Sequence, residues 1–293
     1  MTEPITVIRE LWSYPFMVNA FRAGSVVAVL AAVLGWFTVL RRQTFAGHTL
    51  AMVSFPGAAC ATLLGVAVGY GYFGFCVGAA LVLAIASRRD GGGQDAALTG
   101  TVQAFLLGCG YLFVALYKGA LGGVNSLLFG TFLGVTTTQV TTLAVIAAVA
   151  LGALAVIGRP LLFASVDGDV AAANGVPVRA LSTAFLVLLG VGAASASQIT
   201  GSLLVFALLV MPAATAQLLT ARPLLSLALG VLLALAATWG ALVAAYYSPY
   251  PIGFYVTTFA FAGYVLARLA RPVRLGAAKA VRVKAVRIKG VGA

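Results

Sequence analysis

The sequence has very few charged residues. Only 8% of its 293 residues are Asp, Glu, Lys or Arg, whereas a typical soluble domain has about 25%. So few charges cannot cover a globule with polar surface, which excludes a soluble enzyme or binding module. The apolar residues, 62% of the chain, instead form stretches long enough to cross a hydrocarbon core of about 30 Å. The sequence therefore predicts an all-α fold, a polytopic membrane helix bundle.

Acidic residues and nucleotide-binding motifs are also scarce. All six acidic residues fall outside the apolar stretches (Glu3, Glu10, Asp90, Asp95, Asp167 and Asp169), and buried carboxylates usually form the relay of a proton-coupled carrier. No GxxxxGK[ST] motif and no nucleophile–base set is present, so we expect neither ATP binding by this motif nor enzyme activity, and no bound cofactor. These absences favour a transport subunit that a separate ATPase drives. The alternative is an ATP-independent channel or an ion-coupled secondary carrier.

Nine apolar stretches predict membrane helices. They cover 18–40, 45–68, 72–87, 97–117, 140–158, 178–198, 200–220, 224–246 and 252–269. If they alternate in direction with the C-terminus inside, 15 of the 18 Lys and Arg residues lie on the cytoplasmic side, as the positive-inside rule requires. The glycine-rich segment 119–139 is then either an outer loop or a re-entrant segment.

The division of the chain follows from this topology. Residues 1–270 form the predicted transmembrane permease domain, and 271–293 form a basic cytoplasmic tail. The net charge of +12 lies mostly in this tail and in short loops, which indicates contact with anionic lipid and argues against nucleic acid. The three cysteines have no CxxC spacing, so neither a disulfide framework nor a zinc knuckle is indicated.

The single histidine lies inside the second predicted helix. His48 and Met52 are one turn apart and share a face, and Pro56, one more turn along, removes a backbone hydrogen bond. Imidazole and thioether groups both ligate metals, the thioether being soft. Otherwise His48 hydrogen-bonds a neighbouring helix and Met52 fills space.

Two features of the seventh and sixth stretches are candidates for the transport path. Pro212 lies mid-helix and indicates either a simple kink or a hinge for alternating access. Gln198, with Ser195, Ser197 and Thr200 beside it, lines an outer vestibule or makes interhelical hydrogen bonds.

Several motifs together resemble the zinc/manganese/iron-type ABC transporter permease family. They are RRQTFAGHTLAMVSFPG at 41–57, Leu128-Phe129-Gly130, Asp167-x-x-x-Ala171-x-x-x-Gly175, Gln198-x-x-Gly201 followed by LLVFALLVMPAATAQLL, and SPYPIG at 248–253. The matches occur in the family's order from about residue 15 to 265. His48 and Met52 stand where the family has Asp and His that are associated with metal passage. An imidazole–thioether pair is softer than that pair and poor for manganese.

The resemblance implies a mechanism and a set of partners. It implies the permease subunit of an ATP-binding cassette importer that moves divalent zinc, manganese or iron across the cytoplasmic membrane. A homodimer of permeases, two cytoplasmic ATPase subunits that hydrolyse the ATP, and an extracytoplasmic metal-binding protein are the expected partners. The loop 159–177 is the expected ATPase contact: Arg159-Pro160 ends the fifth span, and a short helix follows that carries the coupling residues Asp167, Asp169, Ala171 and Gly175.

Overall fold

The computed structural model describes residues 13–89, 96–117, 130 and 134–289, with side chains except at 87–89, 203 and 271–289. These ranges contain α-helices and no β-strand. The helices are α1 (Pro15–Leu40), α2 (Thr44–Leu64), α3 (Val68–Arg89), α4 (Ala96–Leu116), α5 (Thr137–Val166), α6 (Gly168–Ala173), α7 (Val178–Thr200), α8 (Ser202–Leu219), α9 (Pro223–Tyr246) and α10 (Ile252–Lys289).

The membrane-helix prediction is confirmed. Eight helices of the described part are long and apolar enough to cross a membrane, and the apolar part of α8, Leu204–Leu219, is a shorter ninth. The helix ends also carry local signals. Pro15 starts α1 at a position where its missing N–H costs nothing. Thr136 and Gln139 form a capping box at the start of α5. The segment 119–139 is described only at Gly130 and from Gly134 onward, where it enters α5.

The fifth helix is longer than the sequence indicates. The expectation that Arg159-Pro160 ends the span is wrong, because α5 continues through Pro160 to Val166. A proline removes one backbone hydrogen bond but leaves the other bonds of the turn in place. Leu161 and Ala164, beyond the proline, are buried in the bundle, and this packing holds the last turn helical.

Helices α1, α2 and α7 form the centre of the bundle. In α1 and α2, 67% of the most apolar 18-residue window is buried inside the protein, compared with 11% in α4. Helices α2 and α3 touch backbone to backbone, because a Cβ atom on Gly57 would overlap the carbonyl oxygen of Gly71, and one on Gly71 that of Gly57. Small residues at membrane helix contacts allow this close approach. The central position of α2 brings His48 into the interior of the bundle.

Candidate functional site

The first three turns of α2 leave one narrow face uncovered. Thr44, Phe45, His48 and Met52 are exposed or half-buried, while 46, 47, 49–51 and 53–59 are buried. We call these four residues the α2 stripe. Thr44, His48 and Met52 are four residues apart and Phe45 is three before His48, which places them along one side of the helix. In this part of α2 the other sides are buried and the stripe stays open.

The imidazole of His48 is held in place by a ring contact. Its centroid lies 4.8 Å from that of Phe206 on α8, in an edge-to-face arrangement. Next to it, Thr49 donates a hydrogen bond of 2.8 Å to Gln103 of α4, which fixes the rotation of α2. The Nδ1 atom of His48 is buried and has no hydrogen-bond partner among the described residues. A hydrogen bond from His48 to a neighbouring helix, the alternative function of this residue, is therefore not formed by Nδ1.

Met52 and Pro56 continue the same region of α2. Met52 is half-buried and Pro56 is buried, with Gly110 of α4 packed directly against the proline ring. Because Pro56 has no N–H, it cannot donate the helical hydrogen bond to the Met52 carbonyl oxygen. In the described residues no three His, Cys, Asp or Glu side chains are close enough to hold a metal ion, so His48 and Met52 are the ligand candidates of this face.

Gln198, the residue predicted for the outer vestibule, belongs to α7. It is exposed near the end of α7, close to Gly69 at the start of α3. It lines a cavity of about 150 Å³ whose other walls are residues at the start of α5 and Ile199. Ser195 and Thr200 do not join it. Both are buried, and their hydroxyls donate to carbonyls of their own helix, Val191 and Ala196, so their placement in the vestibule is wrong.

Two motif glycines meet at the break between α7 and α8. Gly201 separates the helices with φ 73° and ψ 161°, a conformation open essentially to glycine alone. Gly130 lies against it, because a Cβ on Gly130 would overlap the backbone of Ile199 to Gly201. The structure thus brings the third residue of Leu128-Phe129-Gly130 onto Gln198-x-x-Gly201, while Leu128 and Phe129 lie outside the described residues.

Pro212 is buried in the middle of α8. Its carbonyl lies 3.8 Å from the position that a Cβ on Gly230 of α9 would take, so the proline faces the α8–α9 contact. Its missing N–H leaves the Leu208 carbonyl without its helical donor. This is a point where α8 can bend, six residues after Phe206.

The expected coupling helix is present as α6. The Asp167 side chain accepts a hydrogen bond of 3.0 Å from the Val170 N–H, as an N-cap residue does. Ala171 is fully buried and Asp169 is exposed. Gly175 ends the segment with φ 79°, in the left-handed region where a side chain is strained. The four predicted coupling residues therefore lie in one compact turn between α5 and α7.

One residue near this turn was not singled out by the sequence, which counted it only among the cytoplasmic cations. Arg41, the C-cap of α1, is half-buried and donates to Ser165 of α5 at 3.0 Å and to Ser182 of α7 at 2.5 Å. Burial lowers the pKa of its guanidinium, which nevertheless stays protonated at neutral pH. Its place in the RRQTF motif was the available signal.

A family comparison decides what kind of protein this bundle is. Residues 13–271 match the model of the ABC 3 transport family. The chain belongs to the ABC 3 transport family. The resemblance to metal-type ABC permeases is thereby confirmed over most of the chain, and with it the interpretation as a multi-pass membrane protein of a transport system.

Individual relatives agree with the family. The chain is 29% identical to the manganese transport system membrane protein MntC of Halalkalibacterium halodurans over 80% of this chain and 78% of that protein. It is also 29% identical to the chelated iron transport system membrane protein YfeC of Yersinia pestis, over 83% and 80%. A solved structure, PsaBC from Streptococcus pneumoniae in complex with Fab, superposes with a TM-score of 0.80 at 24% identity, over 90% of this chain and 95% of that chain. This likeness shows the shared fold.

Proposed function

We propose that this chain is the permease subunit of an ABC importer that carries divalent transition-metal ions across the cytoplasmic membrane. The observation that carries the proposal is the α2 stripe, where His48 lies half-buried on the uncovered side of α2 and its imidazole Nδ1 has no hydrogen-bond partner among the described residues. Relatives named for manganese and iron transport support the cargo class. The other residues of this path are Gln198 on the outside and Pro56 and Pro212 within the bundle.

The cargo preference follows from the donor atoms. His48 presents an imidazole nitrogen and Met52 a thioether sulfur, and the only described carboxylates, Asp167 and Asp169, lie at α6. Nitrogen and sulfur donors favour borderline metals such as zinc and iron over manganese, which prefers carboxylate oxygen. We expect the transporter to select zinc or iron over manganese more strongly than a carboxylate-containing site would.

The open stripe also indicates a second copy of the chain. A twofold axis beside α2 duplicates every residue that lines it, so a homodimer brings two His48 imidazoles and two Met52 thioethers to one path. Four donors suit the tetrahedral preference of zinc. Each protomer alone leaves the path half built.

The remaining partners match the two ends of the bundle. A cytoplasmic ABC ATPase subunit docks on α6, where the capped helix and Asp169 are exposed, and hydrolyses the ATP. An extracytoplasmic metal-binding protein delivers the ion near Gln198. The basic segment after Ala270 contacts anionic lipid of the cytoplasmic leaflet, which attracts Lys and Arg. The N-terminus is then outside and the C-terminus inside.

The test is uptake of zinc, iron and manganese into vesicles that contain this chain with its ATPase subunit. The proposal predicts uptake that requires ATP and both subunits. Accumulation by the chain alone on an imposed proton or sodium gradient, or uptake unchanged without the ATPase, would overturn it in favour of a secondary carrier.

A further inference from the structure

Arg41 occupies the junction between the helix that carries the stripe and the segment that carries α6. It caps the C-terminal end of α1, and Arg42 after it turns the chain with φ 56° into α2. His48 lies only seven positions further along the chain. On the opposite side, its two hydrogen-bond partners are Ser165, two residues before the Asp167 cap, and Ser182, in the second turn of α7.

The guanidinium therefore binds the helices on both sides of α6 at once, through the last turn of α5 and the start of α7. Its Nη1 and Nη2 atoms each donate to one serine hydroxyl, and its central carbon lies 5.6 Å from the ring centroid of Phe185 on α7. The Ser165 hydroxyl in turn donates a hydrogen bond to the Leu161 carbonyl oxygen of its own helix, α5. We call Arg41, Ser165, Ser182 and Phe185 the arginine junction. Because the guanidinium is planar, its two hydrogen bonds and its ring contact fix both the orientation of Arg41 and its distance from α5 and α7.

The charge of the junction is balanced without a carboxylate. Within the described ranges no acidic side chain forms an ion pair with Arg41, and its Nε is buried without a partner. The C-terminal ends of α1 and α5 lie beside it, and helix C-termini attract cations. A half-buried cation held by dipoles and hydroxyls is a poor device for stability alone, so a positional role is the better explanation of this arrangement.

Helix α6 packs against the two helices that carry the serine partners of Arg41. Ala171 of α6 is fully buried, and α6 packs against both α5 and α7. A displacement of α6 would therefore shift the last turn of α5 and the start of α7. These are the two places where Arg41 forms its hydrogen bonds. From there the three residues Arg41 to Gln43 lead into α2, whose first residue, Thr44, belongs to the α2 stripe.

We propose that Arg41 is a positioning residue that transmits the displacement of α6 to α2, so that ATPase action on the coupling segment moves His48. This inference rests on the proposed function. It assigns Arg41 no contact with the cargo. It predicts that variants without the junction still assemble but are uncoupled, so that they transport fewer metal ions for each ATP hydrolysed.

The experiment measures metal ions transported per ATP hydrolysed by the reconstituted complex of this chain with its ATPase subunit, using zinc as the probe. Arg41→Met keeps the apolar stem and removes the fork. Ser165→Ala with Ser182→Ala removes the acceptors instead. Arg42→Asn is the matched control, since it removes an exposed cation from the same turn and asparagine tolerates positive φ. Size-exclusion chromatography and Tm report assembly.

The expected result is a fall of at least about fivefold in zinc per ATP for Arg41→Met, equivalent to about 1 kcal/mol of coupling, with a wild-type ratio for Arg42→Asn. The double serine variant should show the same fall, and adding Arg41→Met to it should cause little more, because the groups act as one unit.

An unchanged ratio in assembled Arg41→Met complexes overturns the inference. So does failure of every junction variant to assemble when Arg42→Asn assembles, because Arg41 is then a folding residue. A wild-type complex that moves no zinc with ATP refutes the proposed function instead, so the two failures are distinguishable.

Discussion

Arg41 and His48 lie close together in sequence, but their side-chain nitrogens differ in the hydrogen bonds that they make. At the arginine junction, two nitrogens of Arg41 donate to serine hydroxyls on two other helices. On the α2 stripe, the buried Nδ1 of His48 has no hydrogen-bond partner among the described residues, and Phe206 holds the ring by its edge. A buried polar atom without a partner costs about 1–3 kcal/mol.

Arg41 therefore acts as a link between helices, whereas His48 is the candidate metal ligand. At the junction, Nη1 and Nη2 of Arg41 donate within the chain, and a guanidinium, which carries only N–H donors, has no electron pair to offer a metal ion. A neutral imidazole has one nitrogen with a free electron pair, which is the group that a metal ion binds. Variants at the two places should therefore fail in different ways, and the following predictions test that distinction.

The largest effect is expected at His48. His48→Ala removes the nitrogen donor, and zinc uptake should fall at least about tenfold, in the range seen when a metal site loses a supporting group. The complex should still assemble with its ATPase, since the half-buried ring makes no hydrogen bond through Nδ1. Phe45→Leu, on the same stripe but without a donor atom, is the control and should transport normally. Normal uptake by His48→Ala would return the residue to a packing role.

A smaller but distinct loss is expected at the cap of α6. Asp167→Lys removes the acceptor for the Val170 N–H and reverses a charge, costing the helix about 1 kcal/mol or more. Recovery of the ATPase with the tagged permease should drop severalfold. Asp167→Asn keeps a side-chain oxygen and should retain most of it. Arg222→Glu, a charge change of the same size and opposite sign at an exposed site before α9, should leave recovery unchanged. Undiminished recovery with Asp167→Lys would reject α6 as the docking helix.

The end of the same segment should respond more weakly. Gly175→Val forces a β-branched residue into φ 79°, a strain of about 1–3 kcal/mol, and should lower ATPase recovery and Tm together. Gly168→Ala is the matched control, because a Cβ there meets open space at an ordinary φ. Equal behaviour of the two variants would contradict the role of the turn.

The smallest effect is expected at Met52. Met52→Leu keeps the volume and removes the sulfur, so zinc uptake at limiting metal should fall about threefold, or about 0.7 kcal/mol, with unchanged assembly. Met211→Leu on α8, another half-buried methionine, is the control. If both substitutions act alike, the thioether of Met52 has no special role.

The bundle was predictable from the sequence to a large degree. Apolar length alone located all nine hydrophobic helices, because a membrane leaves few other ways to satisfy backbone hydrogen bonds. The end of α5 was missed because Pro160 was interpreted as a stop, whereas burial of Leu161 overrides the local preference. The cap at Asp167 and the turn at Gly175 were predictable because both depend on neighbouring residues.

The site was predictable only in part. The sharing of one face by His48 and Met52 follows from helical spacing, but the uncovered state of that face depends on which helices pack around α2. Ser195 was misplaced because its rotation within α7 is set by tertiary packing. Arg41 was counted only as a cytoplasmic cation, since its partners Ser165 and Ser182 are more than 120 residues away in sequence.

The most direct test of the account compares zinc with manganese uptake by the wild-type complex and by the variant His48→Asp with Met52→His, which has the carboxylate–imidazole pair of the resembling permeases. Carboxylate oxygen improves a site for manganese relative to zinc. We expect the zinc-to-manganese ratio to fall at least about tenfold in the variant, a difference of about 1.4 kcal/mol. An unchanged ratio in an assembled, transporting variant would contradict the claim that the α2 stripe binds the cargo.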